Sequence, residues 1–257
     1  MVRDFRIEVG MGRATSHERR RELLERAIAS AAPAPGQPFA CPYLPGRSAR
    51  HLAVRLEPGG PGLYHALMDL NFRRLGGLFY RPECDSCSEC RMIRVLASEF
   101  RPNRSQRRCL KKNADLSIRI TRPAPSDEKL ALYRRYLESR HDGQMEGSAA
   151  EMQGFLYESP IETWECEYRL DRRLIGIGIF DVEPRTLSAV YCYYEPELAG
   201  RALGVFNVLR LLEECRRRKA THLYLGYYVA DCQKMSYKAN YRPCEILEPG
   251  GRFSRLG

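Results

Sequence analysis

Between residues 188 and 247 the chain runs through an apolar stretch, a turn, an amphipathic helix and a second short apolar stretch in direct succession. No other feature restricts the fold as much. Residues 189–194 (AVYCYY) have the length and the Val/Tyr content of a strand. Glu195-Pro196 ends it, because proline has no N–H to donate to a ladder. After the turn at residues 200–204, Val205, Val208, Leu209, Leu211 and Leu212 recur at helical spacing. Arg216, Arg217, Arg218 and Lys219 then bring positive charge to the helix C-terminus, where the dipole favours it. A strand over 222–228 follows at once. A strand, helix and strand joined this closely form a crossover unit, which makes the two strands parallel neighbours.

The first turn of that helix has free N–H groups facing whatever lies beyond the end of the first strand. The sequence here, RALGVF, resembles the cofactor turn of the GNAT acyltransferases. Phe206 stands where that pattern has a small residue, which argues for an acyl donor other than coenzyme A. Leu203 and Gly204 are the residues of this turn expected to approach the donor.

Charge points to the class of donor. The chain of 257 residues has a net charge of +10, and residues 91–122 alone hold ten Lys/Arg against Glu99 and Asp115, a net of +8. Clustering of this degree favours a polyanion, with nucleic acid the first candidate. Within it, Arg104, Ser105, Gln106, Arg107, Arg108, Lys111 and Lys112 fall on one or two helical turns, and arginine forks with short polar donors are phosphate-holding groups.

The chain has ten cysteines, and nothing at its N-terminus reads as a signal peptide. Reduced thiols in a cytoplasmic protein are therefore expected. No apolar run reaches bilayer-spanning length, so no membrane partner is expected. Cys84, Cys87 and Cys90 form a CxxCxxC array to which Cys41 or Cys109 could add a fourth thiol. Such an array either binds zinc or a cluster or is a thiol-rich turn; lacking a second separate CxxC, it is read as a turn without metal.

Taken in order, the chain begins with an amphipathic helix over 17–32 and a compact turn over 41–47. A strand over 51–57 and a short helix over 63–70 follow, and a loop over 71–77 ends that helix. ITRPAPSD is a proline-bearing boundary, placing a domain division near residue 124. Beyond it lie a helix with Ser126 as its N-cap and Leu130, Leu132, Tyr133, Tyr136 and Leu137 as its apolar stripe. A loop over 140–147 and a second helix over 149–157 come next. Three strands in an antiparallel meander then lead into the crossover unit. The expectation is an α/β protein: a GNAT-like acyltransferase domain over 125–257 behind a basic, cysteine-containing N-terminal domain over 1–124.

CPYLPG, RPECDSCSECRMIRV, FRPNRSQRR, RHDGQM, YYEPELAGRALG and YLGYYVADCQKMSYKANYRPCEIL occur in this order across residues 41–247. Together they resemble the arginyl/leucyl-tRNA–protein transferase family, and most closely its bacterial, leucyl-transferring branch. The resemblance implies transfer of leucine from leucyl-tRNA to the α-amine of proteins beginning with Asp or Glu, which marks them for N-end-rule degradation. It implies no cofactor; a monomer is expected. An arginyl donor or acetyl-coenzyme A is the alternative.

On this reading Glu195 orients or deprotonates the amine. Tyr193, Tyr194, Tyr227 and Tyr228 divide between core and cleft by strand alternation, the cleft-facing ones stacking on the terminal adenine or donating to the carbonyl. Lys234, Tyr237 and Lys238 form a clamp for RNA or a carboxylate. His141 and Asp142 lie in a loop near the acceptor. Cys41 and Tyr43 belong to the binding turn. Arg47, Arg91, Arg94 and Arg107 are unranked candidates for the cation that reads the acceptor's acidic side chain.

Overall fold

The structure, a computed structural model, describes residues 6–7, 16–56, 60–140 and 147–257. β1 (Arg6–Ile7) precedes α1 (His17–Ala31), which Ser16 caps by accepting from the Arg19 N–H at 3.2 Å. β2 (Phe39–Ala40) and β3 (Ser48–Ala49) pair across the turn that holds Cys41. β4 (His51–Leu56), α2 (Leu63–Asp69), β5 (Arg73–Leu75) and β6 (Leu78–Pro82) follow. With β1 these strands form a first sheet in the order β1-β4-β6-β5. Residues 71–77, expected as a loop, instead contain the edge strand β5. Tertiary pairing and a buried arginine decide this, and neither leaves a periodic signal in so short and polar a segment.

The chain continues through β7 (Arg91–Leu96), α3 (Arg104–Lys112) and β8 (Ser117–Thr121). α4 (Asp127–Arg140) starts where expected, Ser126 Oγ accepting from the Lys129 N–H at 3.3 Å. α5 (Ala149–Met152) runs into a π-helical turn, Gln153–Tyr157. The meander is present as β9 (Thr163–Leu170), β10 (Arg173–Glu183) and β11 (Thr186–Tyr194), and α6 (Leu203–Arg217) leads to β12 (His222–Tyr228). α7 (Gln233–Ser236), a 3-10 turn (Tyr237–Asn240), β13 (Cys244–Leu247) and β14 (Phe253–Arg255) complete it.

These strands form a second sheet in the order β14-β13-β7-β12-β11-β10-β9-β8. β11 and β12 are parallel, as the crossover requires, and the mixed α/β arrangement expected for a GNAT-like layer is present. The proline connector near residue 124 separates β8 from α4, and the sheet draws β7 and β8 from one side of it and β9 to β14 from the other.

α6 covers one face of this sheet with Leu203, Phe206, Leu209 and Leu212, and α4 contributes Leu132, Tyr133 and Leu137 to a second cluster around Tyr193. Phe206 is buried and meets Tyr168 edge to face at 5.4 Å, so its bulk belongs to the core. α6 lies close because β10 has glycine at 178: a Cβ there would fall 1.9 Å from Asn207 Oδ1, which accepts from the Tyr168 hydroxyl at 2.7 Å.

The two sheets are joined by charge. Arg74, on β5, gives Nε to Asp181 Oδ2 at 2.5 Å and Nη2 to Oδ1 at 2.7 Å, and both side chains are fully buried. Thr163 Oγ1 donates to the same carboxylate at 2.7 Å. A buried pair of this kind gains little over apolar packing, but loss of one partner strands a charge at a cost of about 3–5 kcal/mol. Asp181→Ala is therefore expected to lower unfolding free energy by about that amount in urea denaturation. Arg74→Met with Asp181→Leu, which removes both charges, is expected to recover most of it. A double variant as unstable as the single would refute the pair as the cause.

Candidate active site

β11 and β12 begin as neighbours and then part. They pair from Thr186 opposite His222 to Ser188 opposite Tyr224, and their further lengths, to Tyr194 and Tyr228, are not paired with each other. Each strand is irregular where they separate. On β11 the register with β10 skips Val190, because Ile179 faces Tyr191 while Phe180 faces Ala189. On β12 the register with β7 skips Leu225, and Gly226 beyond it takes a φ of 77°. A bulge bends its strand and adds twist. Two bulges at one level open a wedge at the C-terminal ends of the parallel pair.

Arg73 of β5 enters the wedge. Its Nη2 donates to the Val190 carbonyl at 3.2 Å, and its Cζ lies 5.8 Å from the centre of the Tyr227 ring. A Cβ on Gly226 would lie 2.8 Å from that Cζ, so glycine is needed both for its φ and for the room it leaves. Lys238, on the turn after α7, is buried beside it; its Nζ donates to the Tyr227 carbonyl and lies 3.6 Å from Met235 Sδ. Burial first, and the Arg73 charge second, lower the Lys238 pKa to about 7. Neither basic group has an acidic partner among the described residues.

Tyr194 and Tyr228 are partly exposed, whereas Tyr193 and Tyr227 are buried, as alternation requires. Tyr227 is fixed by donating to the carbonyls of Asn71 and Tyr80 at 3.0 and 3.1 Å. Tyr237, 44% exposed, lies with Tyr194 and Cys192 at the mouth of the wedge. α6 starts there: Leu203 is buried, a Cβ on Gly204 would lie 3.7 Å from Tyr194 Cε1, and among the described residues no side chain caps the helix. Lys234 is exposed on α7.

A cavity of about 510 Å³ adjoins this region and gathers several residues predicted from sequence: Cys41, Tyr43, Arg47 and Arg91 line it, with the thiols of Cys84, Cys87 and Cys90. Tyr43, pushed up to about 12 by burial, and Cys90, raised to about 12 by burial and the neighbouring thiols, lie within electrostatic reach of the Arg73 and Lys238 pair. Arg47 Nη1 approaches Cys87 Sγ at 3.4 Å. Cys109 lies elsewhere, its Sγ facing the Ala202 carbonyl at 3.6 Å. Among the described residues, the group with three potential metal donors mutually within 4.8 Å is His17, His65 and Asp69.

Other predicted residues have different employment. Glu195 is 1% exposed and bonded to Arg135 at 3.0 Å and Arg173 at 2.7 Å. These arginines outweigh its burial and hold the carboxyl below the usual range, which makes it a poor base. Arg91 pairs with Glu248 at 2.8 Å, and Arg94 with Glu245 at 2.8 Å and Asp69 at 3.4 Å, so both are already neutralised. Gln106 is buried in the capping box of α3 with Asn103 and donates to the Asn240 carbonyl at 3.0 Å; it holds the helix rather than a phosphate. Ser105 donates to Asn103 Oδ1 at 2.8 Å, and Arg107 to the Pro102 carbonyl at 2.6 Å. Arg104, Arg107, Arg108, Lys111 and Lys112 are exposed along α3, and Lys112 reaches the Gly200 carbonyl at 2.5 Å, just before α6. His141 and Asp142 lie outside the described residues. Arg73 escaped sequence reasoning; its signal, two successive arginines in NFRRLGG, was hidden in a segment read as a loop.

Residues 39–108 match the family model for the N terminus of arginine-tRNA-protein transferase, and residues 128–248 match that for its C terminus. An aspartate/glutamate leucyltransferase of Pseudomonas putida KT2440 is 44% identical over 216 residues, covering 82% of this chain and 91% of that one. Another, of Marinobacter nauticus, is 42% identical over 218 residues, covering 83% and 91%. Among solved structures, FemX is similar at a TM-score of 0.46 and 11% identity, covering 90% of this chain and 73% of FemX.

The state of Lys238 is directly measurable. Its folded pKa lies below its unfolded value of about 10.4, so the unfolded chain holds the proton through a window in which the folded one does not. The stability linked to this group is absent below about pH 7 and rises with pH across that window. An NMR titration of the Lys238 ε-methylene is expected to show a midpoint near pH 7, moving upward in Arg73→Gln. A midpoint near 10 in both proteins would overturn this account.

Proposed function

The chain belongs to the arginine-tRNA–protein transferase family, and on that footing we propose that it moves leucine from leucyl-tRNA to the α-amine of proteins beginning with Asp or Glu. The leucylated product is an N-end-rule substrate. The observation that carries the site assignment is the wedge between β11 and β12, with two basic groups inside that have no acidic partner among the described residues and the exposed cations of α3 beside its mouth.

The leucyl ester is already an activated acyl group, so the site has to orient it and manage one proton. An α-amine of pKa near 8 is about a tenth neutral at pH 7. Lys238, with a pKa lowered to about 7, takes a proton from the α-ammonium in its neutral form; Glu195, committed to Arg135 and Arg173, does not. The amine attacks the ester carbonyl, the C–N bond forms, and the adenosine hydroxyl leaves with a proton. Holding amine and ester in attack geometry contributes on the order of 7 kcal/mol in favourable cases, and donors aimed at the developing oxyanion contribute further. Tyr194, Tyr228 and Tyr237, at the open end, are placed to stack on the terminal adenine.

Radiolabelled leucyl-tRNA and arginyl-tRNA, offered with model proteins starting Asp, Glu, Lys or Arg, test the reaction. Leucine transfer onto Asp and Glu alone is expected. Transfer only from arginyl-tRNA, or only onto Lys or Arg, would refute it. For α3, Ala at any one of Arg104, Arg107, Arg108, Lys111 or Lys112 is expected to flatten the log–log salt dependence of tRNA affinity by roughly 0.7 to 0.9 for each phosphate that is no longer neutralised. Unchanged slopes in all five variants would remove tRNA from this helix.

A further inference from the structure

Most arginines packed on the large sheet are neutralised within the chain. Arg74 has Asp181, Arg91 has Glu248, Arg94 has Glu245 and Asp69, and Arg135 and Arg173 share Glu195. Arg73 departs from this rule. It sits between the parted strands, and its identified hydrogen bond is to the neutral Val190 carbonyl at 3.2 Å. The basic group next to it, Lys238, is likewise bonded to a carbonyl and near a thioether, with no carboxylate among the described residues. The surrounding wall is made of neutral side chains: Tyr43, Tyr64, Tyr80 and Tyr227 contribute to the electrostatics of Arg73, and Cys90 and Cys232 to those of Lys238.

A guanidinium in such surroundings is held by dipoles and ring faces, which leave part of its donor fork unused. Arginine has five N–H donors in a plane, and a carboxylate is the group that matches two of them at once. We propose that Arg73 is the residue that reads the acidic side chain of the acceptor protein, receiving the Asp or Glu carboxylate in the wedge while the α-amino group faces Lys238. This assignment rests on the leucyl-transfer reading for the reaction, but not for the binding of an acidic N-terminus. It accounts for the presence of two neighbouring basic groups by the acceptor's own chemistry. In an N-terminal Asp or Glu the carboxyl carbon lies two or three bonds from the α-carbon that carries the ammonium, so neighbouring groups must read them. It also passes over Arg47, which lines the neighbouring cavity and is exposed, and Arg107, which is exposed on α3.

The test uses the full chain and short peptides starting Asp or Asn that are otherwise identical, with binding measured by calorimetry. In the unaltered protein the Asp peptide is expected to bind roughly ten- to hundredfold more tightly than the Asn peptide, the range of a charge-assisted hydrogen bond. Arg73→Gln is expected to abolish that preference by weakening the Asp peptide alone, while leucyl-tRNA affinity stays unchanged. Arg47→Gln is expected to leave the preference intact. If Arg73→Gln retains the preference, or Arg47→Gln removes it, the proposal is wrong. Should Arg73→Gln fail to fold by circular dichroism, the guanidinium NMR signal of Arg73 in the unaltered protein decides: it must shift with the Asp peptide and not with the Asn peptide. A preference that follows Arg73 in a protein without leucyl transfer would refute the reaction and keep the site.

Discussion

The buried pair of Arg74 and Asp181 determines how the two sheets meet, and the wedge depends on it. Arg74 is drawn through the interface to a carboxylate on β10, where Thr163 completes the bonding. Side chains alternate along a strand, so fixing Arg74 fixes the phase of β5 and turns Arg73 the other way, toward Val190 on β11. One arginine is spent on docking, and its neighbour is thereby aimed. A buried ion pair is a weak source of net stability. Its value here is positional: a one-residue slip of β5 would either bring Leu75 against Asp181 and strand the carboxylate, or bring Phe72 into the wedge and leave it without its arginine.

Parting two strands inside a sheet leaves backbone carbonyls without ladder partners, and buried orphans are costly. The wedge meets that requirement with side chains. Arg73 donates to the Val190 carbonyl, Lys238 to the Tyr227 carbonyl, and Tyr227 in turn to the carbonyls of Asn71 and Tyr80. The same bonds that repair the broken ladder therefore hold basic groups in place without an acidic partner among the described residues. This resolves an apparent conflict, since burying cations unpaired normally costs several kcal/mol per ion. Lys238 responds by giving up its proton near neutrality, as burial demands. Arg73 cannot do so, and keeps its charge against carbonyls and tyrosine rings instead.

Elements that carry their own periodicity were legible in the sequence. The meander, α1, α4 and the crossover through α6 all follow from spacing and breakers that lie within each segment. What was not legible depends on residues far apart. Glu195 looks like an available acid until Arg135 and Arg173, sixty and twenty-two positions away, close on it. β5 has three residues, too few for any pattern, and is specified by a carboxylate 107 positions later. The bulges at Val190 and Leu225 leave no mark in a run of strand-forming residues. Gln106 is a different case. Asn103 and Gln106 are an N-cap and its third residue, a reciprocal pairing that local rules can read even within a run of cations.

The positive charge of the molecule is thus divided between two environments with different physics. On α3 the cations are exposed, and at 4 Å in water a pair of unit charges is worth only about 1 kcal/mol, falling further with salt. Many such contacts together suit a long polyanion, whose grip rises and falls with ionic strength and carries little discrimination. In the wedge, solvent is largely excluded and the effective dielectric is lower, so the same charge at the same distance is worth about 4 kcal/mol at an effective dielectric of 20. One such contact suffices to separate a carboxylate from its amide. Both sets converge at the start of α6, where Lys112 reaches Gly200 and Tyr194 meets Gly204. A polyanion held along α3 would bring its end to the start of α6, beside the wedge in which the acceptor's amine is proposed to sit. On the proposed assignments, affinity for the donor and choice of the acceptor are set by different residues, and each can vary without the other.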